Sequence, residues 1–259
     1  MDLTEYRESD SEIHRTNDLI RIIKTINGSS NYSLDIGARD GHFSRLLASY
    51  YDSVIALDLE KPSFKYDNVT CTQGDVTNLK FDDDYFDLVF CAEVLEHIPN
   101  NMLENACNEL SRVSNEYILV GVPYKQDIRV GRITCFSCGE KNPPWGHVNS
   151  FNDEHLENLF PEYSIKEKSF VGRTNSFTNS ISTALMDYAG NPYGTYSQEE
   201  PCIHCGKKLI PPPKRTFLQK IATKAAFYTK HIQAPFAKEH PNWIHILFQR
   251  KWHNNANQP

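Results

Sequence analysis

The chain has 259 residues, 39% of them hydrophobic, and a formal charge of −6. That length supports one large α/β domain with insertions, and the acidic balance argues against a general nucleic-acid binder. With no run of about 18 apolar residues and no charged-then-apolar leader, a soluble, cytoplasmic protein is expected. Seven cysteines, an odd number, read as reduced thiols or metal ligands rather than disulfides.

Ser9-x-x-Glu12 has the form of a capping box. Leu19, Ile20, Ile22, Ile23 and Ile26 then give an apolar helical face, stopped by Asn27-Gly28. Residues 1–30 carry two readings: a helix packed on a sheet edge, or a lid that brings Tyr6, Arg7 or His14 to a site. A short apolar strand at 32–36 runs into a turn with Gly37 and Gly41 and then a helix. Gly37 permits the sharp turn and Gly41 a close approach where the helix starts. The next strand, 53–57, ends in Asp58, an acid placed to accept hydrogen bonds from a ribose diol. Strands follow at 69–73, 86–91 and 117–122, with Gly74-Asp75-Val76 after the first and a helix over 102–113 before the last. This alternation predicts an α/β fold with a doubly wound, mostly parallel, seven-stranded Rossmann-like sheet. Ligands of such sheets sit beyond the carboxyl ends of the strands, and Asp35, Asp58, Asp75 and Glu93 fall at or just past those ends.

A dinucleotide turn would read G-x-G-x-x-G, with pyrophosphate on the helix N-terminus. Here Arg39 replaces the middle glycine, and Asp35 and Asp40 would repel a pyrophosphate. They suit a ligand with an ammonium, a sulfonium and no phosphate, such as S-adenosylmethionine (SAM). Asp-Ile-Gly-x-x-x-Gly, Leu-Asp58, Gly-Asp75-Val76 and Phe-Asp-Leu-Val-Phe-Cys-Ala-Glu-Val-Leu-Glu-His-Ile-Pro (86–99) resemble, in order and spacing, the motifs of class I SAM-dependent methyltransferases. The resemblance covers roughly residues 30–125. It implies that Asp35, Gly37, Arg39 and Gly41 surround the methionine part, with the Arg39 side chain pointing away or touching the carboxylate. Asp58, with Leu59 beside it, would hold the ribose hydroxyls. Asp75 and Val76 would meet the adenine, and Cys91 would line the pocket floor.

Glu93-Val-Leu-Glu96-His97 puts two carboxylates and an imidazole on one face if it begins a helix. Such a hard-ligand cluster suits Mg²⁺ or Mn²⁺. The run resembles the metal-binding segment of small-RNA 2′-O-methyltransferases and of ubiquinone-pathway O-methyltransferases. The RNA group implies a further histidine, for which His147 in Gly-His-Val-Asn-Ser-Phe (146–151) is the candidate, completing Glu93, Glu96, His97 and His147 as ligands. Glu-His after the fourth strand also occurs in metal-free methyltransferases, where it shapes the pocket. His147 and Glu93 are the candidate catalytic residues, His147 as general base if no metal is bound.

Cys135-Phe-Ser-Cys138-Gly and Cys202-Ile-His-Cys205-Gly repeat one pattern, two thiolates on a tight turn. Two such knuckles offer four sulfurs to a structural, tetrahedral Zn²⁺. They stand 63 residues apart, but each follows a strand, the second an expected strand at 164–171. Loops from parallel strands leave from one edge, so the pairs can meet above the active site. Two separate redox dithiols are the alternative. Cys71, Cys91 and Cys107 read as ordinary core thiols.

Asp153 to Phe160 reads as a short helix capped by Asn152 and stopped by Pro161. After Pro211-Pro212-Pro213, a helix from Arg215 to Ile232 places Leu218, Ile221, Ala225, Tyr228 and Ile232 on one face. From Lys207 to Lys238 there are eight Lys or Arg and no Asp or Glu. That asymmetry suits RNA phosphate, an anionic membrane surface or a nucleotide- or lipid-linked glycan, or is simply a solvated face. Residues 243–250 give a last, antiparallel strand, and the tail from Asn254 is expected to fray. The expected division is therefore an N-terminal helix or lid (1–30), a SAM core (31–125), zinc-knuckle insertions (126–150 and 172–213) and the rest of the core (151–171 and 214–259).

The expected function is methyl transfer to oxygen, with a small-molecule or glycan acceptor. A carbohydrate hydroxyl in a glycan or polysaccharide precursor comes first, because the general layout resembles bacterial enzymes of that kind. RNA 2′-O-methylation is the second reading. A zinc-stabilised SAM-binding scaffold without catalysis is the third. Nothing in the sequence sets an oligomeric state.

Overall fold

A computed structural model of the chain describes residues 4–26, 28, 30–233 and 238–251. In chain order they form α1 (Thr4–Arg7), α2 (Asp10–Ile23), β1 (Tyr32–Ile36), α3 (His42–Leu47), β2 (Ser53–Asp58), β3 (Val69–Gln73), β4 (Phe86–Ala92), α4 (Asn100–Val113) and β5 (Ser114–Pro123). Then come β6 (Ile133–Thr134), β7 (Lys141–Asn142), α5 (Asp153–Leu159), β8 (Tyr163–Val171), α6 (Ser180–Tyr188), α7 (Phe217–Gln233) and β9 (Trp243–Arg250). The chain divides into two compact units. The first is Met1–Tyr124, Phe151–Gly172 and Pro241–Pro259; the second is Lys125–Ser150 and Arg173–His240.

The first unit holds a seven-stranded sheet in the order β3-β2-β1-β4-β5-β9-β8. Strands β1 to β5 are parallel, and β9 runs antiparallel between β5 and β8. Every residue of β4 is buried, as expected for a strand covered on both faces. Alternate side chains feed two cores. Val89 and Cys91 join Leu34, Leu103, Leu110 and Ile118 on the α4 side. Leu88 and Phe90 join Leu19, Ile22, Phe43 and Leu47 on the side of α2 and α3. The register levels the strand ends: Ile36 pairs with both Leu57 and Cys91, Asp58 with Gln73, and Ala92 with Gly121. The strand order reverses between β1 and β4, the kind of crevice where such sheets bind ligands.

The sheet has the architecture the sequence predicts, with local differences. Helix α2 ends at Ile23, earlier than expected, and Ile26 still packs against the core from the turn beyond. Asn27 of the expected stop and the tail from Asn254 lie outside the described residues. Ser9 caps α2 by accepting from Glu12 N at 3.3 Å. The return half of the capping box is missing because the Glu12 carboxylate accepts from Arg15 Nε at 2.7 Å instead. Strand β8 pairs antiparallel with β9 rather than with a parallel neighbour. Two antiparallel steps restore its direction to that of β5, so both strands end at the same sheet edge.

The second unit contains the β6–β7 ribbon and the packed helices α6 and α7. The sequence groups residues 214–259 with the core; α7 instead packs on α6 within this unit. Its packing face is not the face that carries the large apolar residues. Ala222, Thr223 and Ala226 are buried, and Ser182 Oγ donates to the Ala226 carbonyl at 2.9 Å. Small side chains let the backbones approach closely, which turns the larger Leu218, Ile221, Tyr228 and Ile232 outward. No described helix is long and apolar enough to cross a membrane.

Candidate functional site

The turn after β1 is built as its glycines imply. Gly37 and Gly41 both have φ of +74°, and Gly41 caps α3. A Cβ on Gly37 would lie 2.5 Å from Val94 Cγ2, and one on Gly41 would lie 2.2 Å from the Phe64 ring. Arg39 has φ of +43°, a left-handed backbone that glycine adopts without strain. Its side chain is exposed and its N–H donates to Asp58 Oδ2 at 2.9 Å. The first-strand turn is thereby tied to the end of β2.

Asp35 is buried beside Ser44, whose hydroxyl donates to it. Burial pushes its carboxyl up to about 7, against the pull of that hydroxyl and with the help of the Asp58 charge. Leu59 is exposed just past Asp58. Asp75 makes a local turn, accepting from Thr77 N and Oγ1 at 2.8 Å each, and Val76 tucks into the core. Cys91 is fully buried in β4.

Glu93 departs from expectation. Its φ is +58°, Val94 is not helical, and only Leu95–His97 form a short 3₁₀ turn. Glu93 therefore does not share a helix face with Glu96 and His97. Its carboxylate lies 3.5 Å from Arg15 Nη1, and burial raises its pKa despite that cation. Arg15, and the burial of Glu12 with it on α2, are what sequence reasoning missed. Their three-residue spacing is a legible ion-pair signal, but nothing local reveals that the pair is buried against the segment after β4. Arg7 donates to Asp40 at 3.1 Å, so of the three lid candidates it is Arg7 that reaches the glycine turn; Tyr6 and His14 are exposed.

Glu96 is fully buried, and neither carboxylate oxygen has a hydrogen-bond partner among the described residues. Burial, then the neighbouring Glu93 charge, pushes its pKa well up. Glu96 and His97 offer ligand atoms within 4.8 Å of one another. His147 belongs to the second unit, where it is buried with Nδ1 2.7 Å from Gln126 Oε1.

Within the second unit the four knuckle cysteines converge, their sulfurs all within 4.8 Å. Both knuckles have one build. Cys135 N donates to the Glu140 carbonyl and Gly139 N to the Cys135 carbonyl; Cys202 N donates to Lys207 and Gly206 N to Cys202. Gly139 and Gly206 have φ of +82° and +69° with open space where a Cβ would be, so backbone conformation alone calls for glycine. Sulfurs meet across the knuckles, Cys135 with Cys205 and Cys138 with Cys202, each at 3.7 Å. A tetrahedral ion with Zn–S bonds of about 2.3 Å needs sulfurs about 3.8 Å apart, so the set fits. Burial would raise the Cys202 thiol, but backbone N–H groups of His204 and Cys205 aimed at the sulfur bring it down to about 6.

For SAM the fit is also chemical. A rim of carboxylates beside a glycine turn suits a cationic ligand with a ribose diol, and a pyrophosphate would be repelled. Residues 34–116 match the family model described as a methyltransferase domain. No curated protein sequence matches the chain. Among solved structures, the N-methyltransferase NodS from Bradyrhizobium japonicum WM9, in complex with S-adenosyl-L-homocysteine, aligns with a TM-score of 0.58 at 12% identity, over 97% of this chain and 93% of its own. The methyltransferase solved with the Haloferax volcanii Trm112 activator aligns with a TM-score of 0.54 at 12% identity, over 97% and 94%. The cyclase SpnF aligns with a TM-score of 0.53 at 15% identity, over 95% and 86%. At such identities these similarities establish the fold, and a cyclase among them shows that the fold alone does not fix a reaction. Motif order, acidic rim and matched family model agree: the chain has a Rossmann-like methyltransferase fold, and its residues 34–116 match a methyltransferase domain.

Proposed function

We propose that the chain transfers the methyl group of SAM to a hydroxyl of a carbohydrate acceptor, in a glycan or polysaccharide precursor. The observation that carries the cofactor half is the acidic rim of Asp35, Asp58, Asp75 and Glu93 at one sheet edge. SAM, when bound, supplies a methyl group already activated on a sulfonium. The protein's task is then alignment, with Asp58 holding the ribose hydroxyls and the glycine turn shaping the methionine end. A hydroxyl acceptor must also lose a proton. Where no divalent cation is bound, His147, whose Nδ1 lies 2.7 Å from Gln126 Oε1, is our candidate general base.

A cleft of about 640 Å³ within the second unit supports an anionic acceptor. Lys125, Arg129, Arg132, Lys238 and His240 line it, with Asp127 the acidic group beside Arg129. A phosphate-bearing precursor, such as a nucleotide- or lipid-linked sugar, matches that charge. The orphaned Glu96 carboxylate favours a second element, a divalent Mg²⁺ or Mn²⁺ held by Glu96 and His97. We also infer a zinc ion on Cys135, Cys138, Cys202 and Cys205. Four thiolates leave no position for water, so this ion is structural.

The test is incubation with SAM carrying a labelled methyl group and a panel of neutral glycans, phosphorylated glycan precursors and RNA, followed by mass spectrometry. Label on a carbohydrate oxygen, faster with the phosphorylated acceptors, is expected. Label on RNA or on nitrogen would move the assignment to another acceptor class. SAM binding without transfer would support the scaffold reading. An EDTA arm that keeps the zinc and loses the activity supports the Glu96–His97 cation; full activity there rules it out.

Asp35 gives a pH dependence to SAM binding. In the free protein its carboxyl keeps a proton up to about 7, whereas in an unfolded chain it loses it near 3.9. By itself this group makes the free protein less stable as pH rises through that window. A cationic ligand favours the carboxylate, so SAM affinity is expected to rise with pH and level off above about 7, with proton release below it. Calorimetry in buffers of different ionisation enthalpy checks both; a flat profile across neutrality removes Asp35 from the cofactor site.

A further inference from the structure

Helix α7 carries a face that the fold leaves in solvent. Phe217, Leu218, Ile221, Tyr228 and Ile232 are 76, 62, 48, 71 and 61% exposed. At 3.6 residues per turn these positions, with Ala225, fall on one stripe about 100° wide. The opposite face, with Ala222 and Ala226, is the one that packs on α6. Tyr188 at the end of α6 is also exposed, and its carbonyl accepts from Gln219 Nε2 at 3.3 Å, which sets it beside the start of α7. A single exposed Leu needs no explanation, but a continuous stripe of five large apolar side chains does.

The charge around the stripe is one-sided. Lys220 and Lys224 are exposed along one border, and Lys207, Lys208 and Lys214 are exposed on the segment that leads into the helix. No acidic residue interrupts the segment from Lys207 to Lys238, on a chain whose formal charge is −6. Clustered cations attract an anionic surface, and the apolar stripe supplies what phosphate contacts alone do not use. Leu218, Ile221 and Ile232 offer nothing to RNA, which is bound through charge and aromatic stacking. They are suited to the boundary between headgroups and acyl chains. We propose that α7 lies in the surface of an anionic lipid bilayer, its apolar stripe immersed and its lysines on the headgroups. The helix rests on the membrane rather than spanning it, in keeping with its length of 17 residues and with an opposite face already packed on α6. This assignment is independent of the acceptor reading above.

Co-sedimentation of the full-length protein with vesicles tests it, using phosphatidylcholine alone and phosphatidylcholine mixed with phosphatidylglycerol. Binding to the anionic vesicles, weakened by salt and much lower on phosphatidylcholine alone, is expected. The double variant Leu218→Glu/Ile221→Glu and the double variant Lys220→Glu/Lys224→Glu should each lower partitioning at least about tenfold. All four positions are exposed, so unchanged circular dichroism and zinc content certify the fold. Three results would overturn the proposal. One is no enrichment on anionic vesicles at low salt. Another is a dimer in sedimentation velocity that Leu218→Glu/Ile221→Glu dissolves while vesicle binding is absent, which assigns the stripe to a second copy of the chain. The third is RNA binding that the lysine variant abolishes, with no vesicle binding.

Discussion

Asp58→Ala is expected to weaken SAM and S-adenosylhomocysteine binding alike, by about 100-fold, measured by titration calorimetry. The size follows from chemistry: a carboxylate that accepts from both ribose hydroxyls makes two charge-assisted bonds, together worth about 3 kcal/mol. The ribose is common to both ligands, so the loss should not depend on the sulfonium charge. Asp58 also accepts from Arg39 N at 2.9 Å, so the substitution removes a tie within the turn. Asp58→Asn separates the two effects, since its amide oxygen can still accept from Arg39. If the loss is chiefly a missing charge at the ribose, Asn recovers little; if it is chiefly a loosened turn, Asn recovers most of it. An Asp58→Ala protein that binds both ligands as tightly as the parent would show that the ribose sits elsewhere, and the acidic rim would lose its assigned role.

The strands and the rim were legible because their causes are local. Apolar segments fix β1 to β4 within a residue, with β5 starting three residues earlier than expected, and parallel strands of one sheet must end at one edge, so Asp35, Asp58, Asp75 and Glu93 stand at or just past strand ends on that edge. The paired knuckles were legible for the same reason, because each C-x-x-C-G is a self-contained turn. What escaped depends on distant parts of the chain. The left-handed backbone at Glu93 removes the helix on which a face shared with Glu96 and His97 depends, and Arg15, from a segment far earlier, lies against the Glu93 carboxylate. Hydrophobicity alone does not identify the packing face of α7. Its buried side is made of Ala and Thr, whose value lies in being small rather than apolar, and only the position of α6 reveals it. Arg39 was legible as an anomaly; its φ of +43° shows that the turn keeps a glycine-like backbone without the glycine.

Protein purified without chelators should carry one zinc ion per chain, and Cys138→Ser should lose it. The second unit gives the reason to expect a large effect on stability. The apolar cluster at its knuckles contains Ile133, Cys135, Cys202 and Leu209 as buried members, with Tyr196 packed against them. Two of those four are the cysteines themselves, so without an ion the cluster has little apolar surface to hold it together. Structural zinc in isolated finger peptides is worth about 10–16 kcal/mol in apparent binding energy. Recovering even about 3 kcal/mol of that as stability corresponds to a fall in Tm of roughly 6–12 °C on removal. Limited proteolysis should then cut first within residues 125–150 and 173–240. The sulfur geometry sharpens the alternative: sulfurs of different knuckles approach to 3.7 Å, close to the separation on a tetrahedral zinc and far beyond a disulfide bond of about 2.05 Å. Elemental analysis without stoichiometric zinc, together with a Tm unmoved by strong chelation, would mean that the four thiols pack without an ion and that the second unit is held by α6 and α7 alone.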